Sequence, residues 1–103
     1  MKIKVPRKIK LGIYTYKIKF DPTLQLVNGN IGEHRPNKGE IVLTSYQSDT
    51  SKILTLNHEV LHHISSQYQL DLDEREIERL AHGFAEYMQS LGIELDWSEI
   101  KVN

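Results

Sequence analysis

Between residues 49 and 68, Ile53, Leu56, Val60 and Ile64 recur every three or four positions, with Leu61 alongside. That period is helical and commits this part of the chain to a helix with one buried stripe. Asp49 and Ser51 are the candidate caps at its start, and Tyr68 is the expected end. His58 and His62 stand at the border of the stripe, and Glu59 follows His58 directly. Residues four apart lie one above the other on a helix face. Both imidazoles can therefore be directed at one metal ion. The Glu59 carboxylate can lie beside that ion and reach a water at its open position. His-Glu-x-x-His is the helix motif of zinc peptidases, and a zinc site of this kind needs a third protein ligand and a body to hold it.

The chain before this helix reads as β structure. Ile3 and Val5 alternate with Lys2 and Lys4 until Pro6. From Gly12, Tyr14, Tyr16, Ile18 and Phe20 fall on one side, with Thr15, Lys17 and Lys19 on the other, which predicts a half-buried strand with a cationic outer face. Leu24 to Ile31 is a weaker strand pattern with a hairpin signal at Asn28-Gly29. Gly32 to Arg35 can be extended, Pro36 to Gly39 turns, and Glu40 to Thr44 is a β-branched strand. Tyr46 lies in a polar loop. After the first helix, Asp71 or Asp73 can cap a second. That helix carries Ile77, Leu80, Ala81, Phe84, Met88 and Leu91 and stops at Gly92. The tail with Trp97 and Ile100 is expected to fold back on the body. Strands followed by two helices predict one α+β domain over residues 1–103. The expected body is a small antiparallel sheet of three to four strands packed on two main helices.

Composition narrows the chemistry further. The 103 residues hold no cysteine, which excludes disulfides, thiolate metal ligands and cysteine nucleophiles. With no disulfide and no signal-peptide pattern after Met1, the expected location is a reducing cytoplasm. No segment has the length of a membrane helix. The formal net charge of -1 gives no global attraction to nucleic acid. Lys2, Lys4, Arg7, Lys8, Lys10, Lys17 and Lys19 do precede the first acid, Asp21. That basic arm reads as a lysine-protected strand edge before it reads as a nucleic-acid contact.

The third ligand is sought on the second helix. Glu78 and His82 are four apart and share a face. Either Glu78 is the ligand, with His82 one turn further to bond a histidine or the reacting oxygen, or His82 is the ligand and Glu78 orients it. Glu74 and Glu86 flank this side and read as solvated carboxylates. Candidates for stabilising a developing oxyanion are His82, Tyr46, His63 and His34, in that order. His63, one step around from His62, is expected at the surface or behind the metal ligands. The long motif with a glycine and a third histidine is absent: those positions are Ser65 and Tyr68.

Three stretches together resemble the ImmA/IrrE-like zinc metallopeptidases of phages and mobile elements. Gly32-Glu33-His34-Arg35 through Ile41-Val42-Leu43 resembles that family's glycine-led turn and strand. Thr55-Leu56-Asn57-His58-Glu59-Val60-Leu61-His62-His63 resembles its Thr-Leu-x-His-Glu-x-x-His segment. Glu78-Arg79-Leu80-Ala81-His82-Gly83-Phe84-Ala85 resembles its Glu-x-x-Ala-Asn-x-Phe-Ala helix, whose first glutamate is the third zinc ligand. The chain departs in its basic β segment, where the family has helices. It also has a short link between the two site helices, and Met88-Gln89-Ser90 in place of a Met-Pro ending.

The resemblance implies a minimal zincin: Zn²⁺ held by His58, His62 and Glu78, Glu59 as general base, and a protein or peptide substrate. A helix-turn-helix repressor of a phage or mobile element, or a host protein, is the substrate class it suggests. Two other classes fit parts of the chain. One is a zinc-held binding module without turnover, in which His82 would close the site as a fourth ligand. The other is a SprT-like protease associated with nucleic acid through the basic arm. Along the Ile41 to Leu43 strand, an extended substrate could add at the cleft edge.

Overall fold

The computed structural model describes residues 1–22, 32–35, 39–45 and 47–100, with the backbone alone for 33–35. In chain order the elements are β1 (Lys2–Lys4), β2 (Lys8–Leu11), β3 (Tyr14–Phe20), β4 (Gly32–Arg35), β5 (Glu40–Leu43), α1 (Asp49–Gln67), α2 (Glu74–Ser90) and β6 (Glu94–Asp96). The molecule is α+β. The expected Leu24 to Ile31 strand, its Asn28-Gly29 hairpin, Tyr46 and the His34 side chain lie outside the described residues.

The expected antiparallel sheet is instead mixed, and the described residues form two sheets. Four strands pair in the order β2-β3-β5-β4. The β2–β3 and β5–β4 pairs are antiparallel, but β3 and β5 run parallel, with Ile18 beside Ile41 and Phe20 beside Leu43. Strand periodicity encodes which side chains face the core, not strand direction. β1 pairs in parallel with β6 in a separate ribbon. The Met1 ammonium reaches the Gly92 carbonyl at 2.7 Å and Glu94 N–H donates to the Met1 carbonyl, so the described tail is tied to the beginning of the chain.

The alternation in β3 holds from its third residue on: Tyr16, Ile18 and Phe20 are buried, and they join Val5, Ile41, Leu43, Trp97 and Ile100 in the main core. Tyr14, expected on the same inner face, is 37% exposed at the start of the strand. Leu56 and Val60 of α1 pack on that core. α1 thus lies across the sheet. A second, smaller cluster of Leu61, Ile77 and Ala81 joins α1 to α2, with Ile64 and Leu72 packed on it.

Both helices are capped from the sequence. The cap of α1 is neither Asp49 nor Ser51 but Ser48, whose side chain accepts from Ser51 N–H at 3.1 Å. At α2, Asp73 and Glu76 exchange bonds of 2.8 and 2.9 Å in a capping box. Gly92, at φ 74°, supplies the left-handed residue just past Leu91 that ends α2. The link between the helices is held by Ser65, whose Oγ accepts from Leu72 N–H at 3.0 Å.

The apolar pattern of α2 is broader than the surface it has to bury. Ile77, Ala81 and Ala85 are buried, whereas Leu80, Phe84 and Leu91 are exposed. A helix with a single neighbour can cover only one stripe.

Candidate metal centre

The hydrogen bonds at the start of α1 explain how the helix is set against the sheet. The Gln47 amide donates to the Thr44 carbonyl at 2.8 Å, and its Oε1 accepts from Ser51 Oγ at 2.8 Å and Thr55 Oγ1 at 2.9 Å. The end of β5 is thereby tied to the first two turns of α1. One turn further on, Asn57 Nδ2 donates to the Ala81 carbonyl at 3.3 Å and ties α1 to α2. His58, Glu59 and His62 stand on this twice-anchored segment.

Their ligand atoms lie within 4.8 Å of one another. His58 Nε2 and His62 Nε2 are 3.2 Å apart, with ring centroids at 4.9 Å. Two nitrogens bound to one zinc at ~2.0 Å in a tetrahedron stand ~3.3 Å apart, so the imidazole pair fits a single ion. Glu59 is 6% exposed, while the two histidines are partly open to solvent.

The sequence reading gave Glu74 a solvated role, and here the structure differs. Its carboxylate lies against His58 Nε2 and stands 3.2 Å from His62 Nε2. It is the carboxylate of α2 that touches both imidazoles, although its side chain is 66% exposed. Glu78 lines the same cleft, but among the described residues its carboxylate makes no hydrogen bond or ion pair. His82 Nδ1–H donates to the Glu78 carbonyl at 3.0 Å, so the ring is held on its own helix and does not bond either metal-site histidine. Glu86 is exposed and lies outside the cleft. The signal for Glu74 was its place at the start of α2. A short link of 68–73 brings that first turn back beside His62, whereas helical-face arithmetic alone favoured positions deeper in α2.

The cleft encloses about 380 Å³, with Gly32, Ser51, Leu54, Thr55, His58 and Glu59 on one side and Glu74, Glu78, Ala81 and His82 on the other. Gly32 opens β4 directly beside the site. A Cβ placed there would overlap Thr55 Cγ2 and come within 3.3 Å of Glu59 Oε2. Only glycine lets the strand approach the helix this closely. The strand at the cleft is therefore β4. β5, expected at the cleft edge, is paired on both sides, by β3 and β4, and cannot accept another strand.

His63 is a second correction. It is 3% exposed and packs against Tyr16 of β3, outside the lining of the cleft. Its Nδ1 lies 2.7 Å from the Tyr16 hydroxyl, and its ring also bonds the Leu11 backbone. The Leu11 carbonyl only accepts, so the ring N–H goes there and Nδ1 accepts from Tyr16 O–H. Tyr14 adds an edge contact at 5.5 Å. Burial holds the His63 pKa below its ordinary value, outweighing the Leu11 bond that raises it. Burial likewise raises the Tyr16 pKa. The folded state therefore favours neutral His63. Its contribution to stability is fully present above the unfolded value of about 6.5 and is lost as pH falls below that value. The expected result is a urea midpoint that drops as pH is lowered below about 6.5, with a flatter slope in His63→Gln, whose amide can donate and accept without titrating. An equal slope in the variant would remove His63 as the cause.

No helix among the described residues is long and apolar enough to cross a membrane. No protein-family model, curated protein or solved structure matches this chain.

Proposed function

We propose that this protein is a zinc-dependent peptidase whose metal is held by His58, His62 and Glu74, with Glu59 as general base. The observation that carries this reading is the convergence of three side chains from two helices. His58 Nε2 and His62 Nε2 are 3.2 Å apart, and the Glu74 carboxylate lies on both. Two nitrogens and a carboxylate oxygen are the donor set of glutamate-ligated zinc enzymes. When bound, the ion supplies a Lewis acid that polarises a carbonyl and acidifies water.

The chain's own residues do the rest. Glu59 takes a proton from the attacking water and passes it to the leaving amine. Its burial against Gly32 keeps the carboxylate aimed into the cleft and limits bulk water around it. Among the described residues β4 is an edge strand, and an extended peptide can add along it by main-chain hydrogen bonds with its scissile bond at the site. His82, on the cleft wall, is the donor for the developing oxyanion, and a turn of its side chain away from the Glu78 carbonyl brings it to that task. A phage or mobile-element repressor is the substrate candidate that the family resemblance contributes. Glu78 is the ligand position that the resemblance contributes, and it competes with Glu74 for that role.

The test joins metal content to turnover. The purified protein should bind about one zinc per chain, and His58→Ala and His62→Ala should each lose it. The zinc-loaded protein, offered a random peptide mixture and read by mass spectrometry, should release new amino termini that a chelator suppresses. Stoichiometric zinc binding without cleavage of the mixture or of proteins encoded beside it would instead support a metal-held binding module.

A further inference from the structure

The face of α2 turned away from the cleft carries a row of large apolar side chains in water. Leu80, Phe84, Tyr87 and Leu91 are 41%, 49%, 61% and 56% exposed. Their spacing of four, three and four is the repeat by which one helix offers a continuous seam to another. On the helical wheel the seam is centred roughly 90° from the row of Ile77, Ala81 and Ala85 that packs on α1. At its border lies Gly83, the floor of a shallow hollow of about 310 Å³ ringed by Arg79, Leu80, Phe84 and Tyr87. A Cβ at Gly83 would meet nothing within 4 Å among the described residues. Glycine within a helix is destabilising, and none of the described residues packs into the space it leaves.

We propose that a second copy of this chain covers the seam, forming a homodimer with the two α2 helices antiparallel about a two-fold axis near Gly83 and Phe84. Such an axis sets Phe84 of each copy over the hollow at the partner's Gly83, and sets Leu80 against the partner's Tyr87. The surface is thus complementary to itself, as a two-fold interface requires. Charge selects the direction. Arg79 and Glu86 are seven residues apart on one edge of the seam, and among the described residues neither forms an ion pair. Antiparallel packing brings Arg79 toward the partner's Glu86, twice, and also opposes the helix dipoles favourably. In a parallel pair the two-fold puts this edge of the two helices on opposite sides of the seam, and the Arg79–Glu86 pairs are lost. At up to 150–250 Å² per fully buried aromatic and somewhat less per leucine, the exposed part of the seam amounts to roughly 400 Å² per copy. The seam alone then removes roughly 800 Å² from water across both copies, and its flanks carry the total toward the ~1,200 Å² of a stable interface. No seam residue lines the metal cleft, so the dimer stands or falls independently of the peptidase reading.

The test is the mass of the full chain in solution, by light scattering after gel filtration, from about 1 µM to about 1 mM. The expected result is twice the chain mass at the upper concentrations. Phe84→Glu should raise the dissociation constant at least ~100-fold, toward monomer, and Tyr87→Lys should act in the same direction, with the circular dichroism and zinc stoichiometry of both unchanged. Arg79→Glu should weaken the dimer about tenfold, and Glu86→Arg added to it should restore the affinity. A monomer at every concentration overturns the proposal, as does a dimer indifferent to both Phe84→Glu and Tyr87→Lys. A dimer that the double charge exchange fails to restore overturns the antiparallel arrangement.

Discussion

On the proposed function, Glu59→Gln is expected to leave a protein that folds and binds zinc like the parent but hydrolyses peptides ~10²–10⁴-fold more slowly, the range for losing a positioned general base. Glutamine fills the same volume, so the wall made with Gly32 and Thr55 stays intact. What it lacks is a site that can take a proton from water and return it to the amine. The comparison needs zinc content, a urea midpoint and cleavage of one identified peptide for both proteins. The fall should lie in kcat and not in KM, because the missing interaction belongs to the transition state. Equal rates with equal zinc would remove Glu59 from the chemistry, and with it the main ground for reading turnover into this cleft.

Glu74→Ala is expected to lower zinc affinity at least ~100-fold and Glu78→Ala no more than about tenfold; removing a partner that only orients a ligand already costs 10–100-fold in many sites. The ground is position: the Glu74 carboxylate touches both imidazoles, and that of Glu78 lines the cleft without a partner among the described residues. Competition with a chromophoric chelator measures both constants without any substrate. The reverse order would return the third ligand to Glu78, where the likeness of Glu78 to Ala85 with the ImmA/IrrE-like helix puts it. Helix stability gives no shortcut, since Glu74 also sits in the first turn of α2, where a carboxylate is favoured by the helix dipole. Affinity, not melting, separates the two.

The parts of this protein that follow from neighbours along the chain were legible in residue order. The helical period around His58 and His62 requires α1, and i,i+4 geometry requires that the two imidazoles share a face. The alternation from Tyr16 to Phe20 requires a strand buried on one side, and Asp73 and Gly92 mark the limits of α2 because capping is decided within one turn. What depends on which element lies beside which could not be read this way. The parallel pairing of β3 with β5, the burial of His63 against Tyr16, and the edge position of β4 with Gly32 against Glu59 each join residues far apart in the chain. Periodicity reports a face, and a face can meet many partners. The exposed row on α2 makes the same point: spacing showed Leu80 and Phe84 to be apolar positions of a helix, but only the packing of α1 against Ile77, Ala81 and Ala85 left them in water. Residue order by itself thus determined the helix and the two histidines of the candidate metal centre. The tertiary structure alone decided which carboxylate reaches them, because that depends on the short link that turns α2 back beside α1.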